Sequence, residues 1–227
     1  MTYDLYIGDR TFSSWSLRGW LMLEKFDLPY SSHMIGLYGG TMAQDMAPLA
    51  PATLVPALQL PDGEVIGETL AMAETLAERH PDKHMWPTNP SARARARWLC
   101  AAMVSGFSAL RNECPMQLQH VNKGFPVSDA LAKDLTRLEQ LWDHAALASD
   151  EKGPWLLGSY SLADVFYAPV CARIIGYDLP VSDKARQYCD TTINDSAFKA
   201  WRAEGQNVTY DPFPYDMGLE TQGWPVD

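Results

Sequence analysis

An α/β unit followed by an all-α unit is the fold class this sequence predicts, and three observations predict it. Over the first 80 or so residues, short aromatic and β-branched runs alternate with helical periodicities in the order β-α-β-α-β-β-α. From His80 to Pro90 the chain then carries three prolines in eleven residues and no periodicity, the composition of an interdomain linker. Beyond it only helical patterns recur. The expected organisation is a first domain over residues 1–80, a linker over 81–90 and an all-helical second domain over 91–227 that ends in an irregular tail. No strand is expected after residue 95.

Thr2 to Gly8 (TYDLYIG) reads as the opening strand, and Leu17, Trp20 and Leu21 place a helix directly after it. Pro29-Tyr30 leads into a second strand, SSHMIGL, and a short helix is expected near Thr41 to Met46. Pro56 to Leu60 and Glu64 to Ile66 are short strands joined by Pro61-Asp62-Gly63, a signal for a tight antiparallel turn. Glu68 to Glu78 follows as a helix with Leu70, Ala73, Leu76 and Ala77 on one face.

In the second half, Asn89-Pro90 supplies a cap and a proline at the first helical position, and one helix is expected from there until Pro115 stops it. Arg93, Arg95 and Arg97 on it read as a solvated or interface face. Ser128 begins a second long helix carrying Leu131, Leu135, Leu138, Trp142 and Ala145 at spacings of four and three. Ser161-Leu162-Ala163-Asp164 has the spacing of a capping box with aspartate in the glutamate position, so Asp164 reads as a folding signal and not as a catalytic acid. Shorter helices are expected near Ser182 to Asp190 and Asp195 to Glu204. The last twenty residues have no periodicity, and such tails either stay loose or fold back over a surface.

Composition narrows the function. With 28 acidic against 18 basic residues the chain carries a formal charge of −10, which repels phosphate backbones and anionic membranes, so no nucleic-acid partner and no membrane are expected. No apolar run approaches a membrane span, and the N-terminus enters a strand without a basic and apolar leader, so the expected location is the cytoplasm. Cys100, Cys114, Cys171 and Cys189 are scattered without metal-ligand spacing, which makes them reduced, buried thiols and gives no metal site. Asn207-Val208-Thr209 matches a glycosylation sequon by chance alone on this reading.

Three local features carry the chemistry. Ser13 and Ser14 sit at the strand-to-helix junction, where a hydroxyl and the positive end of the helix dipole together stabilise a thiolate; a serine there equally serves as a plain cap. Leu54-Val55-Pro56 places a proline just before a strand, where a cis peptide is tolerated and the Val55 backbone can pair with an extended ligand; the alternative is a trans edge-strand proline. Glu68-Thr69 opens a helix with an acid to pair an ammonium and an N–H and hydroxyl to hold a carboxylate, although an acid at a helix start is favoured by the dipole alone. A thiol end, a peptide middle and an amino-acid end describe glutathione.

The run SSWSLR after the first strand, VP before the third, ET at the third helix and SLAD in the helical half resemble the glutathione transferase superfamily, in its serine-type branch of theta and zeta classes. The resemblance implies a thioredoxin-like N-terminal domain with a C-terminal helical bundle, a homodimer, and glutathione as co-substrate toward a small electrophilic substrate. It places the catalytic serine on Ser13 or Ser14, the cis-proline on Pro56, the backbone ligand on Val55 and the γ-glutamyl contacts on Glu68 and Thr69. Trp15 and Arg18 join the glutathione-binding run, Arg18 as electrostatic support or structural ion-pair partner. Met103, Phe107, Arg111 and Met116 fall where the family builds its substrate pocket, each with core packing as the alternative; Arg111 is suited to a substrate carboxylate.

Two departures bear on the activity. Zeta-type isomerases carry cysteine where this chain has Trp15, and no cysteine precedes Cys100, so the cysteine-type omega chemistry lacks its nucleophile. Conjugation of glutathione to an electrophile is therefore the leading expectation. Cis–trans isomerisation of the maleylacetoacetate type, or ligand binding without turnover, stands as the alternative. Tyr6 is the rival to the serines as thiol activator, but its place in the strand pattern reads as core.

Overall fold

The computed structural model describes residues 2–149, 152–207 and 216–225. Strand β1 (Tyr3–Ile7) runs parallel to β2 (Tyr30–Met34), with α1 (Ser14–Glu24) as the crossover between them. After the short α2 (Met42–Met46), β3 (Ala57–Gln59) pairs antiparallel with β1 on its other side and β4 (Val65–Ile66) pairs antiparallel with β3, giving the sheet order β2-β1-β3-β4. Helix α3 (Thr69–Arg79) closes this unit. The mixed sheet with its helices is a thioredoxin-like domain.

Alternation along β1 buries Tyr3, Leu5 and Ile7 against Leu17, Leu21 and Leu23 of α1 and Met72, Ala73 and Leu76 of α3. Tyr6 points to the opposite face, half-buried against the smaller core of Ile35, Met46, Leu49, Val55 and Ala57, with its ring stacked on His33 at 4.8 Å, so it sits at a core edge. The turn between β3 and β4 closes on Gly63 at φ 92°, a conformation in which glycine carries no steric penalty.

Helices build the rest: α4 (Pro90–Ser105), α5 (Ser108–Glu113), α6 (Asp129–Ala146), α7 (Leu162–Gly176), α8 (Asp183–Asn194) and α9 (Ser196–Gly205). Asn89, Ser128, Ser161, Ser182 and Asp195 cap five of them through their side chains. Every residue of α7 is buried. It packs against α1, α4 and α8, and so fastens the helical half to the start of the first helix.

Two expectations are corrected. The helix from Pro90 does not run to Pro115: it stops at Gly106, and Phe107 adopts φ 57°, so that its ring is buried while α5 starts in a new direction. Asp134 on α6 accepts from the Leu110 N–H at 3.0 Å, a tertiary bond that no local pattern announces. The second half is also not free of strands. Strand β5 (His120–Asn122) pairs antiparallel with β6 (Thr221–Gly223), a ribbon that ties the chain's last described segment to the bundle. Three-residue strands, neither alternating in burial, give no periodicity to read. Residues 208 and 209 of the sequon lie outside the described residues.

Candidate functional site

Ser13 and Ser14 stand at the same junction and differ in their bonding. Ser13 is the N-cap of α1, 7% exposed; its Oγ accepts from the Ser16 N–H at 3.3 Å and donates to Ser16 Oγ at 2.8 Å. Ser16 Oγ in turn accepts from the Gly8 N–H at 2.9 Å, which ties the cap to the end of β1. Ser13 is thereby committed as donor and acceptor. Ser14 is half-buried, and its Oγ accepts from Arg173 Nη2 at 3.3 Å. Among the described residues no acceptor takes the Ser14 hydroxyl proton.

The loop feeding this junction is built by Asp9, whose carboxylate accepts from the N–H groups of Thr11 at 2.7 Å and Phe12 at 2.9 Å. The first turn of α1 then gathers cations. Arg18 is 1% exposed, its Nε donating to the Phe166 carbonyl at 2.9 Å and its Nη1 to the Ser14 carbonyl at 3.1 Å. Its guanidinium lies 4.5 Å from the Trp15 ring centre, and that of Arg111 lies 5.1 Å from the same ring. Neither Arg18 nor Arg111 forms an ion pair among the described residues. Burial, reinforced by the charges of Arg173 and Arg111, holds the Arg18 pKa well below the usual arginine range.

Next to this cluster, a cavity of about 330 Å³ is lined by Trp15, Val55, Pro56, Glu68 and Thr69 together with Thr53, Leu54 and Gly67. Five residues singled out in the sequence thus converge on one space. The Val55–Pro56 peptide is cis. Glu68 is exposed and holds φ 60°, an unfavourable backbone conformation for a residue with a side chain. It precedes α3 without capping it, so the helix start at the buried Thr69 keeps its amides free of a side-chain cap.

The remaining predicted residues are placed differently. Met103, Phe107 and Met116 are at most 4% exposed, packed in the main hydrophobic core and absent from the lining of this cavity. Arg111 is half-buried, its Nη1 bonded to the Val104 carbonyl at 3.3 Å. All four cysteines are free and buried; burial raises the Cys100 thiol and pushes that of Cys114 up to about 12, so neither is a thiolate near neutral pH.

Arg173 escaped the sequence reading. It lies 159 residues from Ser14. The signal that was available is its position as the one basic residue in a helix whose other charged residue is the capping Asp164, where a buried charge requires a partner.

The family model described as "Glutathione S-transferase, N-terminal domain" matches residues 12–79. A probable maleylacetoacetate isomerase from Caenorhabditis elegans is 30% identical over 212 residues, covering 90% of this chain and 95% of that protein. The maleylacetoacetate isomerase of Rattus norvegicus is 29% identical, covering 78% and 81%. Among solved structures, a glutathione transferase homolog from Burkholderia GL BGR1 with bound glutathione superposes with a TM-score of 0.69 at 21% identity, covering 92% of this chain and all of that one.

Proposed function

The chain belongs to the glutathione S-transferase superfamily, and on that footing we propose that it is a glutathione-dependent cis–trans isomerase of a small carboxylate-bearing alkene of the maleyl type. The observation that carries this reading is the nearly end-to-end similarity to a probable maleylacetoacetate isomerase. It reverses the order of the two activities expected from the sequence, where Trp15 in the place of cysteine favoured conjugation.

The residues present fit glutathione. Glu68 offers a carboxylate for its ammonium, Thr69 an N–H and a hydroxyl for its γ-glutamyl carboxylate, and Val55 a backbone edge for its peptide. Bound there, glutathione supplies a sulfur nucleophile for an electrophilic carbon. Ser14 donates its uncommitted hydroxyl proton to the sulfur anion, and Ser13 holds the helix start in place. Arg111, half-buried and without an ion pair among the described residues, reads a substrate carboxylate. Assembly as a homodimer and a place in the cytoplasm belong to the same reading and rest on the family resemblance.

The test is to supply glutathione and a maleyl-type cis alkene and follow both by NMR. Isomerase activity yields the trans alkene at constant glutathione. Accumulation of a thioether instead identifies the conjugating activity, which the Trp15 departure favours. Calorimetric binding of glutathione without turnover identifies a ligand-binding protein of this fold.

A further inference from the structure

We propose that Arg173 is the positioning residue for Ser14: its guanidinium occupies the acceptor side of the Ser14 hydroxyl and so directs that hydroxyl's proton toward the glutathione sulfur. The inference rests on the reading of Ser14 as the thiolate donor and goes beyond it by assigning what orients and strengthens the donor.

The arrangement is rigid on the arginine side. Arg173 is 6% exposed, its Nε donates to the Cys114 carbonyl at 2.9 Å and its Nη1 to the Pro169 carbonyl at 3.1 Å. Two fixed carbonyls from different segments aim the remaining amine, Nη2, at Ser14 Oγ at 3.3 Å. A serine hydroxyl has one proton and two lone pairs, and with a lone pair taken by a cation the proton is turned away from it. A hydroxyl that accepts from a charged donor is itself a stronger donor, because bonds in a chain polarise one another. Among the described residues, the Ser13 hydroxyl, one residue earlier, has no such input and bonds within its own cap.

Among the described residues, the charged and titratable groups around this pair include Arg18 on α1, Arg111 on α5, the buried thiol of Cys114 after α5 and the Tyr177 phenol after α7. Arg18 and Arg111 add positive potential and touch Trp15 rather than Ser14 Oγ. Among the described residues, Arg173 is the one that bonds the hydroxyl itself.

The experiment measures the pKa of enzyme-bound glutathione by thiolate absorbance against pH in the parent, R173M, R173K, S14A and the double variant R173M/S14A, with calorimetric glutathione affinity and thermal unfolding recorded for each. R173M is expected to raise the bound thiol's pKa by roughly one unit, R173K to recover most of that shift, and R173M to add little once S14A is in place. R173Q serves as a second neutral variant should R173M not fold. Equal shifts from R173M with and without S14A would show a through-space charge effect and overturn the relay. An unchanged thiol pKa with lowered thermal stability would reduce Arg173 to a structural tie. If S14A itself leaves the thiol pKa unmoved while glutathione still binds, the Ser14 reading fails, and with it this inference.

Discussion

At Ser13 one hydroxyl accepts from the Ser16 N–H and donates to Ser16 Oγ, so donating to a ligand would mean giving up the bond to Ser16. Ser14 carries no such commitment for its proton among the described residues. Substituting each by alanine therefore separates folding from chemistry. S13A is expected to lower stability by about 1 kcal/mol, the usual value of an N-cap, in denaturant unfolding, with little movement of the bound thiol's pKa. S14A is expected to raise that pKa by roughly one to two units while unfolding at nearly the parent denaturant concentration. The reverse pattern would exchange their roles. For Glu68, whose carboxylate is exposed and screened, E68Q should weaken glutathione binding by about 1 kcal/mol in calorimetry; unchanged affinity would leave Glu68 as a dipole-favoured acid only. These residues were legible in the sequence because each sits in a local pattern, a serine pair before a helix, a proline before a strand, an acid at a helix start. Arg173 was not, since its proposed role depends on a bond to a residue 159 positions away.

Helix α7 shows what patterning alone conveys at the scale of an element. Its capping box is visible in four residues and is present in full: Asp164 accepts from the Ser161 N–H at 2.8 Å and the Ser161 hydroxyl at 3.2 Å. The same carboxyl also accepts from the Leu156 N–H at 3.0 Å and the Tyr188 hydroxyl at 3.1 Å, tertiary bonds that the sequence did not show. Burial nevertheless pushes its pKa up to about 6, outweighing the bonds that favour the carboxylate. The folded protein then holds this proton more tightly than the unfolded chain, whose aspartates titrate near ~4. Its contribution to stability is full below about pH 4 and is lost as pH rises through about 6, a change of roughly 3 kcal/mol. Urea unfolding of the parent and D164N across that window checks it: the parent's stability relative to D164N should fall with rising pH. A flat difference would mean that the four hydrogen bonds hold the carboxyl near its ordinary pKa. The break between α4 and α5 marks the opposite limit of legibility. Helical periodicity flanks it on both sides, but Gly106 supplies a stop, since a Cβ there would meet the Ala102 carbonyl oxygen at 2.8 Å, and the burial of Phe107 with the Asp134 bond to the Leu110 N–H fixes the new start.

Across the whole molecule, the order of elements made the α/β and all-α architecture readable, because most strands and helices carried their own period. The strap formed by residues 216–225 was beyond reach for the same reason, having no period. Among the described residues it is held by the β5–β6 ribbon, by Met217 against the core and by Trp224. Val121 and Gln222 stand opposite each other in the ribbon, the Lys123 N–H donates to the Glu220 carbonyl at 2.8 Å, and the strand residues of the strap are exposed. Trp224 alone is deeply buried, at 4% exposure, with the Arg202 guanidinium 5.3 Å from its ring centre and Gly176 at the end of α7 close by. Removing a core aromatic costs about 3–5 kcal/mol where the surrounding structure must stay in place. Here the strap is free to detach and recover its conformational entropy, so W224A is expected to cost less, about 2 kcal/mol. Hydrogen exchange supplies the sharper reading. Detachment should strip protection from the ribbon amides that bond across it, the Lys123 N–H first, while α1 and α3 keep theirs and glutathione affinity stays at the parent value. Retained protection at Lys123 would show that the ribbon's hydrogen bonds, and not the tryptophan, anchor the strap.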